Sequence, residues 1–171
     1  RSATLLNAYH TSVQLHQADA DLNLEDLAEH IRQRNEQEEE LLIEPAFFAA
    51  LEKANPRISG IRFELKRSIY RNELTRFRYD VVLQVGAEKS AVQVVQHMDW
   101  HAANLDEKKL RAQLENLSSA DLLLTGVPDA RLQVEVHAIN ELDNPGLDNA
   151  AELRTKSQEH TDTGVEPEML Y

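Results

Sequence analysis

The sequence contains no cysteine. That excludes disulfide bridges, thiolate nucleophiles and thiolate-bound zinc, and it fits a reducing cytoplasm, where we expect the protein to work. No apolar run approaches the about 18 residues needed to cross a bilayer, and no secretory signal is visible. Neither gives reason to expect a membrane partner. Glycine is scarce, with five in the chain and none in a G-x-G arrangement. The close backbone loop that a dinucleotide or nucleoside cofactor requires after a first strand is therefore missing. Aromatic residues make up only 5%. Basic residues are also few, 18 against 30 acidic ones, for a net charge of -12. Such a surface repels phosphate backbones, so nucleic acid is not expected as a partner.

What is present suffices for a core. The chain has 171 residues, 42% of them hydrophobic, which fits one domain or two small lobes. Apolar periodicity predicts a helix over 3–17, with Leu5, Leu6, Tyr9 and Val13 as its stripe and His10, Gln14 and Gln17 beside it. Asn23, with Asp26 three residues on, caps a second helix that buries Leu24, Leu27, Ala28 and Ile31. Continuing its phase brings in Asn35, Glu38 and Leu42, so two polar residues fall on an apolar stripe. Pro45 opens a third helix, 45–54, expected to bury Phe47, Phe48 and Leu51. The period then changes to two. Strands are expected at 61–67 and 74–85, joined closely enough to be antiparallel. A further strand (91–98), a helix capped by Asn104, a short strand at 122–124, a helix from 129 to 142 and a polar loop over 155–164 complete the reading.

Several side chains invite a chemical reading. His10 and His16 do not share a helix face. His97 and His101 are spaced by four but fall at a strand end, where they do not converge, so no metal site is expected. Glu36 and Glu39 read as a solvated helix face. Glu38 is in phase with Ile31 and Leu42, and an inward carboxylate is either a functional base or one half of a structural ion pair with Arg76 or Arg78. The run from Asn72 to Asp80 gathers polar side chains at the start of a good strand. It is either an edge strand guarded by charge or the polar wall of a pocket.

That run, Asn72-Glu73-Leu74-Thr75-Arg76-Phe77-Arg78-Tyr79-Asp80-Val81-Val82, resembles the N-E-L-[ST]-x-[YF]-R-Y-x-x-V motif of methyltransferase domains embedded in nonribosomal peptide synthetases. The segments Glu38 to Leu41 with Pro45 to Phe48, Asp99-Trp100, Leu124 to Leu132 and Gly164 to Pro167 are similar to that family in the same order. The resemblance implies the C-terminal part of a class I methyltransferase-like α/β fold. Residues 1–87 would supply cap helices and the last two, antiparallel strands, and residues 88–171 a small αβ lobe. It also implies an S-adenosylmethionine cofactor whose binding half lies upstream, together with an adenylation domain in the same polypeptide and a peptidyl carrier protein as partner. The reaction would be methylation, chiefly of nitrogen, of a carrier-bound aminoacyl thioester. Glu38, Glu40 and Tyr79 are the candidate catalytic residues, and His10, Asn72 and Glu73 the candidate substrate-binding residues. Two rival readings are a non-catalytic docking module and a truncated, cofactor-free epimerase. Arg1 at one end and a helix just opening at Pro167 at the other lead us to expect cuts from a longer chain.

Overall fold

In a computed structural model, residues 1–86, 94–117, 121–159 and 164–170 are described. Helix α1 (Ala3–Gln17) starts at Ser2, whose hydroxyl accepts from the Leu5 amide at 3.3 Å. Helix α2 (Leu24–Glu36) is capped by Asn23 through the Asp26 amide, as its sequence predicts. Helix α3 (Pro45–Ala54) carries proline in its first turn. It leads into strand β1 (Ile58–Leu65), the short helix α4 (Glu73–Phe77) and strand β2 (Tyr79–Val85). β1 and β2 pair antiparallel, Phe63 opposite Val81 and Leu65 opposite Tyr79. Strand β3 (Val94–Asp99), helix α5 (Glu107–Asn116) and strand β4 (Asp121–Thr125) form a parallel β-α-β unit, with Met98 opposite Leu124. Helices α6 (Gln133–Glu141) and α7 (Ala150–Gln158) precede a 3-10 turn at Pro167–Leu170.

The described residues are thus mixed α/β, with two small two-stranded sheets among them. The main core joins Leu15, Leu24, Leu27 and Ile31 to Ala138, Ala150 and Leu153. It draws residues from both halves of the sequence, because α6 and α7 pack back on α1 and α2. Arg154 of α7 donates to the carbonyls of Leu15 and Ala18 at the end of α1, which supplies partners for carbonyls that the helix leaves open. A second core holds Trp100, Leu110 and Val165 between α5 and the parallel strands.

Several expectations are corrected. α1 buries Leu6, Ala8, His10, Thr11 and Leu15, whereas Leu5, Tyr9 and Val13 are only half-buried. Neighbours on more than one side of α1 enclose its polar face as well. α3 buries none of its residues, and Phe47 is 55% exposed, because only one edge of the helix meets β1, through Phe48 against Phe63. Residues 73–77 are helical and not strand, since Asn72 accepts from the Leu74 and Thr75 amides while Thr75 Oγ1 accepts from the Asn72 amide. α5 is capped by Asp106; Asn104 adopts a positive φ of 47° instead. α6 begins at Gln133, and the expected loop over 155–164 is helical to Gln158. Positions 91–93 and 160–163 of the expected strand and loop lie outside the described residues. Among the described residues, no helix is long and apolar enough to cross a membrane.

Candidate functional site

Helix α2 ends at Glu36, so Glu38 is not on its apolar stripe; it belongs to the extended segment that follows. That segment runs back along the start of α1. The Ile43 amide donates to the Arg1 carbonyl at 3.0 Å, and Glu44 Oε1 accepts from the Ala3 amide at 2.6 Å. This return carries Glu38 to His10, whose Nε2 lies 3.1 Å from Glu38 Oε2. The other Glu38 oxygen accepts from the Glu40 amide at 3.0 Å. That backbone bond, opposed by burial and reinforced by His10, holds the Glu38 carboxyl below its ordinary value. The inward carboxylate therefore stays ionised, and its partner is His10, not Arg76 or Arg78.

Beside this pair sits an ion-pair quartet. Arg1 Nε lies 3.1 Å from Glu40 Oε2, and Arg1 Nη2 contacts Glu73. Arg78 Nη2 lies 2.5 Å from Glu40 and 2.9 Å from Glu73. Two guanidiniums thus alternate with two carboxylates contributed by the 38–44 segment and α4. The Arg78 bond, against burial and with help from Arg1, lowers the Glu73 carboxyl. The Arg1 side chain is 2% exposed and lies over the Tyr9 ring at 4.6 Å. Tyr9 in turn meets Phe77 edge-on at 5.5 Å and the His10 ring at 5.2 Å.

The six sequence-predicted residues separate into two groups. His10, Glu38, Glu40 and Glu73 come together around Arg1, Tyr9 and Arg78. Asn72 serves α4 as its cap. The Tyr79 hydroxyl donates to the Ile43 carbonyl, and burial and then Glu44 push its pKa upward, so it acts as a strut holding the 38–44 segment on β2. Arg1 and Tyr9 were not legible as site residues. Asn35 gave a signal: its polar break in the α2 stripe is explained by Asn35 Nδ2 donating to Asn7 Oδ1 at 2.8 Å. His97 meets Thr125 at 3.1 Å, and Thr125 meets Asp99 at 3.2 Å. Among the described residues, no group of three or more His, Asp or Glu is placed to hold a metal.

Among the described residues, the turns after the two parallel strands offer no glycine loop for S-adenosylmethionine. The turn after β3 has no glycine. The glycine after β4, Gly126, has Asp99 Oδ2 within 2.9 Å of where a side chain would start, so its backbone faces a carboxylate, not an open crevice. A groove of about 620 Å³ runs between α2 and the turn at 142–147, and the candidate residues do not line it.

No protein-family model matches the chain. It is 34% identical to the chondramide synthase of Chondromyces crocatus over 175 residues, which covers 100% of the chain and 4% of that protein. The PF 1022-synthetase of a Rosellinia species is 29% identical over 144 residues, 79% of the chain and 4% of that enzyme. The beauvericin nonribosomal cyclodepsipeptide synthetase of Beauveria bassiana is 29% identical over 157 residues, 86% of the chain and 5% of its own length. The chain is therefore homologous to a short segment of nonribosomal peptide synthetases, multidomain proteins of secondary metabolism.

Proposed function

We propose that this chain supplies the acceptor side of an S-adenosylmethionine-dependent methyltransferase domain within a nonribosomal peptide synthetase. The observation that carries the proposal is the meeting of the two motif segments, Glu38 to Glu40 and Glu73 to Arg78, beside His10. Homology to synthetase segments supports the setting. The cofactor would be held by upstream residues of the same polypeptide, next to an adenylation domain, and the acceptor would be an amino acid held as a thioester on a peptidyl carrier. Work in the cytoplasm belongs to the same proposal.

In this reading the chain's own residues handle a proton. An amino group is largely protonated at neutral pH and must lose a proton before its lone pair can accept a methyl. Glu38 is a poor base, because the Glu40 amide and His10 favour its charged form. It is well suited to accept from His10 Nε2–H, which leaves Nδ1 as the acceptor nitrogen. His10 is then the base and Glu38 the group that fixes its tautomer, a reversal of the roles expected from sequence. The quartet of Arg1, Glu40, Glu73 and Arg78 sets the neighbouring wall, with Glu73 presenting charge to an incoming ammonium.

The test uses the longer polypeptide with an aminoacyl-loaded carrier. Replacing His10 by glutamine should slow methylation by about 10²- to 10⁴-fold, the usual contribution of a general base. Methylation at the unaltered rate would remove His10 from this role.

A further inference from the structure

Arg76 lies in the middle of the motif segment, yet it turns away from the quartet. Its guanidinium meets Glu135 of α6 at 2.5 Å, and the Glu135 side chain is 4% exposed. Its Nε donates to the Arg131 carbonyl at 2.9 Å. Arg131, with a side chain 2% exposed, holds Asp129 through Nε and Nη2 and donates through Nη1 to the Lys66 carbonyl at 3.0 Å. Lys66 directly follows β1, and Arg76 belongs to α4. One short stretch before and into α6 therefore grips both ends of the 66–76 connection. Asn72 and Glu73 lie between the two grips.

A buried ion pair is weak evidence of net stability, since desolvation offsets most of the attraction. Geometry is the better account of this one. Among the described residues, no hydrogen bond or ion pair joins Arg131 or Glu135 to His10, Glu38 or Glu40, but both act on the segment that delivers Glu73 to Arg1 and Arg78. We propose that Arg131 and Glu135 are positioning residues: by pinning Lys66 and Arg76 they set where Glu73 stands in the candidate site. This rests on the methyl-transfer reading above. A misplacement of about 1 Å at a reacting site can cost on the order of 10²-fold in rate.

The test again uses the longer polypeptide, with kinetics and amide hydrogen exchange on the same sample. Glu135→Gln keeps the shape and removes the charge. Arg131→Lys keeps the charge and loses the forked grip, and it serves if the first variant does not fold. Either should lower kcat by about 10²-fold with KM for S-adenosylmethionine unchanged, and should speed exchange at Glu73 to Phe77 while β2 and α2 stay protected. Unaltered kcat in an active protein would overturn the proposal, and so would loosening spread evenly over β1, β2 and α6. If the unsubstituted protein transfers no methyl, the functional reading fails. The exchange measurement then still decides whether α6 fixes α4.

Discussion

At the scale of single residues, the site is defined by carboxylates held ionised by named donors. Glu38 is lowered first by the Glu40 amide and then by His10, and Glu73 first by Arg78 and then by Arg1. Both folded values lie below the ordinary 4.5, so folding favours the charged form. The stability they contribute is complete above that value and is lost as pH falls through the lower, folded values. Thermal midpoints followed from neutral into acid should therefore drop below about pH 4.5, and Glu38→Gln and Glu73→Gln should each flatten that drop. Variants with the same acid dependence as the unaltered chain would show that these carboxyls carry no linkage. Of these residues, Glu38 was legible from sequence as an anomaly on an apolar stripe. Its role was not, because the stripe stops at Glu36 and a reversing loop chooses its partner. Arg1 gave no signal at all, since its burial depends on Tyr9 beneath it and on carboxylates more than 35 positions away.

At the scale of elements, the boundaries show where local chemistry decides and where packing does. Caps that rest on neighbours in sequence, such as Asn23 on Asp26 and Pro45 on α3, were readable because every atom involved is local. The α4 helix was missed because its residues alternate like a strand, while Asn72 and Thr75 satisfy each other's backbone and hold a helical turn. Asn72→Ala should cost about 1 kcal/mol, the usual loss of a cap, and should loosen α4 ahead of β2 in hydrogen exchange. The Gly164 motif position also gains a reason. Val165 bridges to Asp129, with its amide on the Pro128 carbonyl at 2.7 Å. A side chain at Gly164 would start 2.4 Å from the Ala130 backbone. Gly164→Ala should destabilise the chain by about 1–3 kcal/mol through that overlap, measured by denaturant unfolding.

At the scale of the whole molecule, the helices at both ends of the sequence share one core, and the apolar α3 and β1 surfaces remain partly open. Leu153 on α7 is fully buried against α1 and α2. Leu153→Ala should cost about 2–5 kcal/mol and reduce amide protection in α2 as well as in α7. This shared core was not legible, because periodicity identifies a buried face without naming the element that covers it. The ordered motifs pointed to nonribosomal peptide synthetases, and the period of two with a short connection pointed to the antiparallel pair; the return of α6 and α7 onto α1 needed coordinates. The most direct test of the functional account is the identity of the methylated atom. The longer polypeptide, its aminoacyl-loaded carrier and S-adenosylmethionine are incubated, the thioester is cleaved, and the released amino acid is analysed by mass spectrometry and chirality. An N-methyl amino acid of unchanged configuration is predicted. An unmethylated product, or one epimerised without the cofactor, would contradict the account.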